Sequence, residues 1–530
     1  MRKRSKARIS KDLGAFETSF EMLKVAEKNK HDNVFLNAGR GNPNWINVKA
    51  RLAFNRIVEF GIFDSYRTIR SDDLAGYTQQ QGIKARFEAY LDPDDNDIDE
   101  FLLEVLKYAK VDLDFNMDEF VKELIDGALG NNYPVPSKCL KYTEIILNQY
   151  LEKTLYNGVK LSDKTEVFPT EGGTAAIVYL FNSLKRNKLI KPGDKIAINT
   201  PIFTPYLQIP ELAEYELVEV FISSAEENNW EIKIDEIEKL ANPEIKAFFI
   251  VNPSNPGSKS LNNEALEEIK KATQKNPDLM VITDDVYGTF VNNFQTVYSV
   301  IPHNTILVYS YSKLFGATGW RVGLIALHEE NVFDRLISQL SNDDKKELDT
   351  RYNIVTHNPK QLTFMDRIVA DSRSVGLYHT SGLSTPQQIM EVLFSLTHLI
   401  YRDSEDLYFK ASKSIVDTRY KDLHKAMKID VDNSEENAKY YSLLNIFTIA
   451  QNRYGKDFRD YLEENFDQVD FLLNLADRNG VVLMDGVGFG SANGNLRVSQ
   501  ANLPSEDYNL IGKQIIATLR EYYQEYKNNK

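Results

Sequence analysis

Three short apolar runs, Ala247-Phe248-Phe249-Ile250-Val251, Leu279-Met280-Val281-Ile282-Thr283 and Thr305-Ile306-Leu307-Val308-Tyr309, each stop at a cluster of polar residues, and helical stretches such as 263–273 lie between them. Runs of this length, rich in β-branched and aromatic residues, read as strands buried on both faces. Strands that alternate with helices build a mostly parallel sheet with helices on both faces, so the pattern predicts an α/β fold. In such a sheet the ligand crevice lies beyond the C-terminal ends of the strands. Those ends carry Asn255 within Asn252-Pro253-Ser254-Asn255-Pro256-Gly257, then Asp284 and Tyr287 within Asp284-Asp285-Val286-Tyr287, then the stretch 310–323. Taken singly, either aspartate reads more readily as a helix cap than as a functional group.

The stretch 310–323 brings together the hydroxyls of Ser310 and Ser312, the ammonium of Lys313, the guanidinium of Arg321 and three glycines. Close backbone approach, hydroxyls and two cations suit a dianionic phosphate with a carbonyl beside it. Lys313 is then placed to attack the carbonyl, while Ser310 and Arg321 hold the phosphate. Standing alone, the same stretch is equally a solvated loop. Upstream, Glu166-Val167-Phe168-Pro169-Thr170-Glu171-Gly172-Gly173-Thr174 precedes an apolar helical segment at 175–184. A strand, a glycine turn, a hydroxyl and a helix N-terminus in that order make an anion site. No lysine follows the glycines, so this is not a P-loop. Phe203, in Thr200-Pro201-Ile202-Phe203-Thr204-Pro205-Tyr206, can stack on a planar ligand or serve the core.

With 530 residues, 42% of them hydrophobic, the chain has material for two cores. A formal charge of -14 disfavours nucleic acid and anionic membranes as general partners, because both need a basic face. The single cysteine, Cys139, excludes an intrachain disulfide or a Cys-rich metal site and reads as a buried thiol. No metal site is expected. Met1-Arg2-Lys3-Arg4-Ser5-Lys6 is basic but leads into Lys11-Asp12-Leu13-Gly14 rather than an apolar segment, so no secretory leader is visible. No stretch is apolar enough to span a bilayer, and the cytoplasm is the expected compartment.

Along the chain, 16–27 has helical spacing, and Leu36-Asn37-Ala38-Gly39-Arg40-Gly41-Asn42-Pro43-Asn44-Trp45 is rich in turn formers. Residues 64–130 read as helices broken by solvated acidic runs such as Asp92-Pro93-Asp94-Asp95-Asn96-Asp97. Long helices follow over 387–425. Beyond residue 439, helices alternate with Val481-Val482-Leu483-Met484 and Leu496-Arg497-Val498-Ser499, and an amphipathic helix over 508–523 ends the pattern. The expected organisation is 1–60 as the N-terminal part of a small α+β domain and 61–390 as a large ligand-binding domain. The latter carries a helical insert at about 61–130 and another at about 328–380, and 391–530 completes the small domain.

The glycine turn with Thr174, then Phe203, Asn255, Asp284 with Tyr287, the Ser-x-Ser-Lys loop with Arg321, and the late Arg497 occur in one order. In that order they resemble the fold-type I pyridoxal phosphate enzymes of the aspartate aminotransferase class, over most of the chain from Gly41 to Arg497. The resemblance implies pyridoxal 5'-phosphate as cofactor and a homodimer or higher homo-oligomer with active sites at the subunit interface. It implies that Lys313 links to the cofactor and later moves the substrate Cα proton, and that Asp284 pairs with the pyridine nitrogen. By the same resemblance Asn255 and Tyr287 bond the phenolic oxygen, Phe203 stacks on the ring, and Gly172, Gly173, Thr174, Ser310 and Arg321 bind the phosphate. Arg497 takes the substrate α-carboxylate and Gly41 closes over it. A tyrosine from the neighbouring subunit also reaches the phosphate in this class. Tyr133 fits its distance from the glycine turn and Tyr77 its local pattern, and Tyr133 is the expected one. The usual Asn-Pro-Thr-Gly of the class appears here as Asn255-Pro256-Gly257-Ser258, which puts the geometry of that loop in question.

The chain is longer than plain class I aminotransferases, with extra sequence between Gly61 and Gly130 and between Leu327 and Ser381. This resembles the aspartate 4-decarboxylase branch, which implies β-decarboxylation of L-aspartate to L-alanine and CO2 with an aspartate aminotransferase side activity. A plain class I aminotransferase for aspartate or another acidic or aromatic amino acid is the alternative. A decarboxylase should not clamp the departing carboxylate with a strong ion pair, which would stabilise the ground state. Arg40, Arg367 and Arg373 are candidates for weaker contacts to it. A ligand-sensing regulator on the same domain would need a DNA-binding module, for which 1–36 is too short.

Overall fold

The computed structural model describes residues 15–28, 35–210, 212, 215–401 and 405–529. The basic segment 1–6 lies outside the described residues. Seven strands form the central sheet: β1 (Thr165–Thr170), β2 (Lys195–Thr200), β3 (Val218–Ser223), β4 (Ile245–Val251), β5 (Met280–Asp284), β6 (Thr305–Ser310) and β7 (Gly323–His328). Their spatial order is β1-β7-β6-β5-β4-β2-β3, and all pairings are parallel except the two made by β7. The segment between β6 and β7 holds only a short 3-10 turn, Thr318–Trp320, and no crossover helix, and β7 returns antiparallel. Every residue of β6 and of β7 is buried, as the uninterrupted apolar pattern requires.

Register places the functional ends in line. Gly323 is opposite both Thr170 and Ser310, and Asp284 is opposite Val251 and Val308. The glycine turn, the lysine loop and the first aspartate therefore leave the sheet side by side. Helix Gly173–Arg186 packs on β6 and β7.

Helices Val48–Tyr66, Asp97–Val111, Met117–Leu129, Lys141–Leu155 and Thr385–Leu399 share the core of this sheet. The acidic residues 92–95 are exposed, and Asn96 caps the helix behind them through the N–H groups of Ile98 and Asp99. Two carboxylates of this region are buried and are held by two-pronged guanidinium contacts. Asp99 pairs with Arg56 at 2.8 Å on both oxygens, and Asp64 pairs with Arg86 at 2.7 and 3.0 Å. The buried Cys139 thiol has its pKa pushed up by desolvation.

A second core contains helix Ala15–Lys28, helix Gln468–Asn479, helix Ser505–Asn529 and an antiparallel sheet of Met484–Asp485, Asn495–Ser499 and Tyr441–Asn445. Leu36–Asn37 pairs in parallel with Val481–Val482, which ties the early chain to its late part. Helix Val48–Tyr66 packs through Ala50, Ala53, Ile57 and Phe60 into the larger core, and helix Leu407–Met427 gives Val416 to one core and Leu423 and Met427 to the other. Among the described residues no helix is long and apolar enough to cross a membrane.

The cores are fastened beside the sheet ends. Lys259, buried after β4, reaches Asp432 at 2.8 Å and Ser434 at 2.5 Å, Ala438 N–H donates to the Ser258 carbonyl, and Tyr441 N–H donates to Ser258 Oγ at 2.7 Å.

His424, on helix Leu407–Met427, is buried against Tyr420, and its Nδ1 lies 2.8 Å from the Tyr420 carbonyl. Burial lowers its pKa from 6.5 to about 4. Because the unfolded chain binds this proton more readily, stability is retained above pH 6.5 and lost as pH falls towards 4, by up to about 3 kcal/mol. Guanidinium unfolding of the wild type should show this loss, and His424→Gln should flatten the pH dependence over that window. An unchanged slope would place the proton uptake elsewhere.

Candidate active site

Lys313 stands one turn beyond β6, and its Nζ donates to the Gly41 carbonyl at 3.2 Å. The loop that carries it is clasped through its backbone. Trp45 Nε1 and the Tyr408 hydroxyl both donate to the Leu314 carbonyl, at 2.9 and 2.8 Å, and Arg51 donates to the Gly316 carbonyl at 2.8 Å. Gly316 has φ +57, and a Cβ there would run into the Trp45 carbonyl, so both conformation and space demand glycine. Gly41 is constrained by space alone, since a Cβ on it would meet the Tyr441 hydroxyl.

Beside the lysine lies an anion cradle. Gly172, at φ +84, begins the helix Gly173–Arg186, and a Cβ on it would sit 2.5 Å from the Arg321 guanidinium. Arg321 itself adopts a left-handed conformation, φ 54, and donates to the carbonyls of Glu171 and Thr318. Ser310 Oγ lies 2.9 Å from Ser312 Oγ. Two hydroxyls, a guanidinium and the free N–H groups of a helix start converge there.

Asp284 ends β5. Its Oδ2 accepts from the Tyr206 hydroxyl at 3.0 Å and its Oδ1 from Val286 N–H at 3.3 Å. Desolvation pushes its pKa up to about 6, against the pull of those bonds and of the Lys313 charge. No ion pair satisfies it among the described residues. Its neighbour Asp285 is bonded to Thr283 inside the core and is pushed up to about 8 by burial. The two adjacent aspartates thus have separate surroundings.

Arg497 lies on the middle strand of the small sheet, opposite Met484 on one side and Leu443 on the other. Its guanidinium is buried, donates to Asn255 Oδ1 at 3.1 Å and to the Gly39 carbonyl at 2.6 Å, and is flanked by the rings of Tyr441 and Phe489 at 4.5 and 4.8 Å. Nε has no partner, and no carboxylate pairs with the group among the described residues. Desolvation lowers its pKa from the ordinary arginine value. A buried, unpaired guanidinium is costly in isolation and is suited to a ligand carboxylate.

These groups face one cavity of about 500 Å³. Gly41, Gly173, Thr174, Phe203, Asn255, Asp284, Tyr287, Ser310, Lys313, Arg321 and Arg497 all line it, and Gly172 abuts Arg321 at its edge. Phe203 also packs edge-on against Phe16 and Tyr206. Tyr133, 72% exposed, does not line it. Tyr77 is 53% exposed and shares a separate surface depression with Asn131 and Asn132. Arg367 and Arg373 are not available to the cavity: Arg367 is spent on Asn187 and the Leu362 carbonyl, and Arg373 on Glu171 and Tyr179. Sequence reasoning missed Tyr206 and Tyr441. Tyr206 had a signal, since it lies one helical turn beyond Phe203. Tyr441 had none, because it reaches the cavity from the small antiparallel sheet, far along the chain.

The model of the family "Aminotransferase class I and II" matches residues 136–513. The chain is 41% identical over 523 residues, 97% of each protein, to a bifunctional aspartate aminotransferase and L-aspartate beta-decarboxylase of Pseudomonas sp. It is 30% identical to aromatic-amino-acid aminotransferase 2 of Thermococcus litoralis, over 41% of this chain and 55% of that protein. The fold is similar to Thermus thermophilus aspartate aminotransferase with maleate, with a TM-score of 0.61 at 15% identity over 97% of this chain and all of that one.

Gly316→Ala should detach segment 44–51 from the lysine loop. A left-handed alanine costs about 1–3 kcal/mol before the clash with Trp45 is counted. Chemical denaturation should register a loss of at least that size; wild-type stability would show that the close approach is not required.

Proposed function

The chain belongs to the class I and II aminotransferases, and on that premise we propose that it uses pyridoxal 5'-phosphate to convert L-aspartate to L-alanine and CO2, with aspartate transamination as a second outcome. The observation that carries the proposal is the juxtaposition in one cavity of Lys313, the unpaired carboxyl of Asp284 and the unpaired guanidinium of Arg497.

The residues fit the cofactor. The cradle of Gly172, Gly173, Thr174, Ser310 and Arg321 suits a dianion, and Asp284 suits a protonated ring nitrogen, the cation its buried carboxyl lacks. Asn255 and Tyr287 lie where a ring oxygen can be bonded, and Phe203 lines the adjoining wall. Bound there, pyridoxal 5'-phosphate supplies an electron sink for bonds broken at the substrate's Cα and Cβ.

The chain's own residues do the rest. Arg497 holds the α-carboxylate as a two-pronged fork and fixes the Cα bond to be broken. Lys313 takes the Cα proton and returns one, at a nitrogen positioned by the Gly41 carbonyl. Lys313, Arg321 and Arg497 are the cations lining the cavity, and each has a task other than the β-carboxylate. With Arg367 and Arg373 committed elsewhere, and Arg40 exposed and not among the residues lining the cavity, the described residues offer that carboxylate no further cation for a strong ion pair, which favours its release as CO2. We further place Tyr133 at the phosphate of a neighbouring subunit in a homo-oligomer, a reading supported by its exposure and by its position outside its own cavity. We divide the chain into a large cofactor domain and a small domain built from both termini, in keeping with the two cores.

Incubation of the holoenzyme with L-aspartate and no keto acid should release alanine and CO2 over many turnovers. Activity should fade slowly as some enzyme is left holding its cofactor in the aminated form, and recover on adding pyruvate, which takes up that amino group. Oxaloacetate in amounts matching the enzyme, with no CO2, would make the chain a plain aminotransferase.

A further inference from the structure

Four side chains in the cavity form a closed circuit. Arg497 Nη1 donates to Asn255 Oδ1 at 3.1 Å, Asn255 Nδ2 reaches the Tyr287 hydroxyl at 3.5 Å, Tyr287 and Tyr441 join hydroxyl to hydroxyl at 2.9 Å, and the Tyr441 ring lies under the Arg497 guanidinium at 4.5 Å. Asn255 and Tyr287 come from the ends of β4 and β5, whereas Arg497 and Tyr441 come from adjacent strands of the small sheet. Tyr441 is 2% exposed, and its backbone N–H is fixed by Ser258.

A phenol has one proton to give and two lone pairs to receive. With Tyr441 as the donor of the hydroxyl pair, the Tyr287 oxygen accepts from both Asn255 Nδ2 and Tyr441 O–H, and its own proton is free to point into the cavity. A hydroxyl that accepts a bond donates more strongly, because bonds in a chain polarise one another. We propose that Tyr441 is a positioning residue that strengthens Tyr287 as a donor to the cofactor's phenolic oxygen and, through its ring, holds Arg497 ready for the substrate carboxylate. This rests on the reading of Tyr287 and Arg497 given above. Gly41 follows from it: only a residue without a Cβ lets the Tyr441 hydroxyl into this position.

The test uses holoenzyme and two readouts other than turnover. In the first, the visible band of the cofactor bound to Lys313 is titrated with pH. Weaker donation to the ring oxygen leaves more negative charge there and holds the nearby nitrogen's proton more tightly. Tyr441→Phe should therefore raise the midpoint by about half to one pH unit, and Tyr287→Phe by more. In the second, binding of the unreactive dicarboxylate succinate should be within about threefold of wild type for Tyr441→Phe, which keeps the ring, and weaker by about tenfold for Tyr441→Ala, which loses it. A purely structural role would move both readouts together and lower the melting temperature with them. A midpoint that rises with Tyr287→Phe but not with Tyr441→Phe overturns the assignment of Tyr441 alone. A midpoint unmoved by either variant overturns it together with the reading of Tyr287. Equal succinate affinity in the Phe and Ala variants overturns the part played by the ring.

Discussion

The burial of Arg497 is the constraint on which the site depends. A guanidinium removed from water is tolerated only where carbonyls, amides and aromatic faces replace its hydration, and here those groups come from beside the large sheet and from the small sheet. Gly39 and Asn255 accept from it, and Tyr441 and Phe489 cover its faces. Neither sheet supplies them alone. The requirement to solvate one charge therefore fixes how the small antiparallel sheet meets the ends of the large one.

The lysine loop solves a related problem by a different means. Its backbone carbonyls would be exposed at the crevice, and Trp45, Tyr408 and Arg51 bond them, so the segment 39–51 serves as the loop's scaffold. At Gly316 the loop comes too close to the Trp45 carbonyl for a side chain, and at Gly41 the scaffold comes too close to the Tyr441 hydroxyl. The electrostatics follow from this enclosure. Asp284 is driven up by desolvation to a value at which a cationic partner would bring it back, and Asp285 next to it is driven further by desolvation and by the Asp284 charge, against the pull of its hydroxyl partners.

Much of this was legible along the chain. The apolar runs ending at residues 251, 283 and 309 became β4, β5 and β6, each within a residue or two of its observed bounds, because strands buried on both faces leave an unbroken apolar signature. The acidic run before Asn96 was exposed as expected, yet Asp99, a few residues on, was buried, and only the approach of Arg56 from another helix made that possible. Arg367 and Arg373 illustrate the opposite failure. As sequence they are free cations near the right place; in the fold their charges are already neutralised or bonded.

By itself the sequence determined the elements and the chemistry hung on their ends: a glycine turn before a helix, an aspartate after a strand, a lysine in a loop between two apolar runs. These are local matters of sterics and periodicity, and a short window contains them. Only the tertiary structure decided which groups face one another. Asn255 and Arg497 are 242 residues apart, Lys313 and the Gly41 carbonyl 272, and Tyr287 and Tyr441 154. Such contacts are set by how two cores pack around buried polar groups, and the pattern of neighbours along the chain carries no record of that packing.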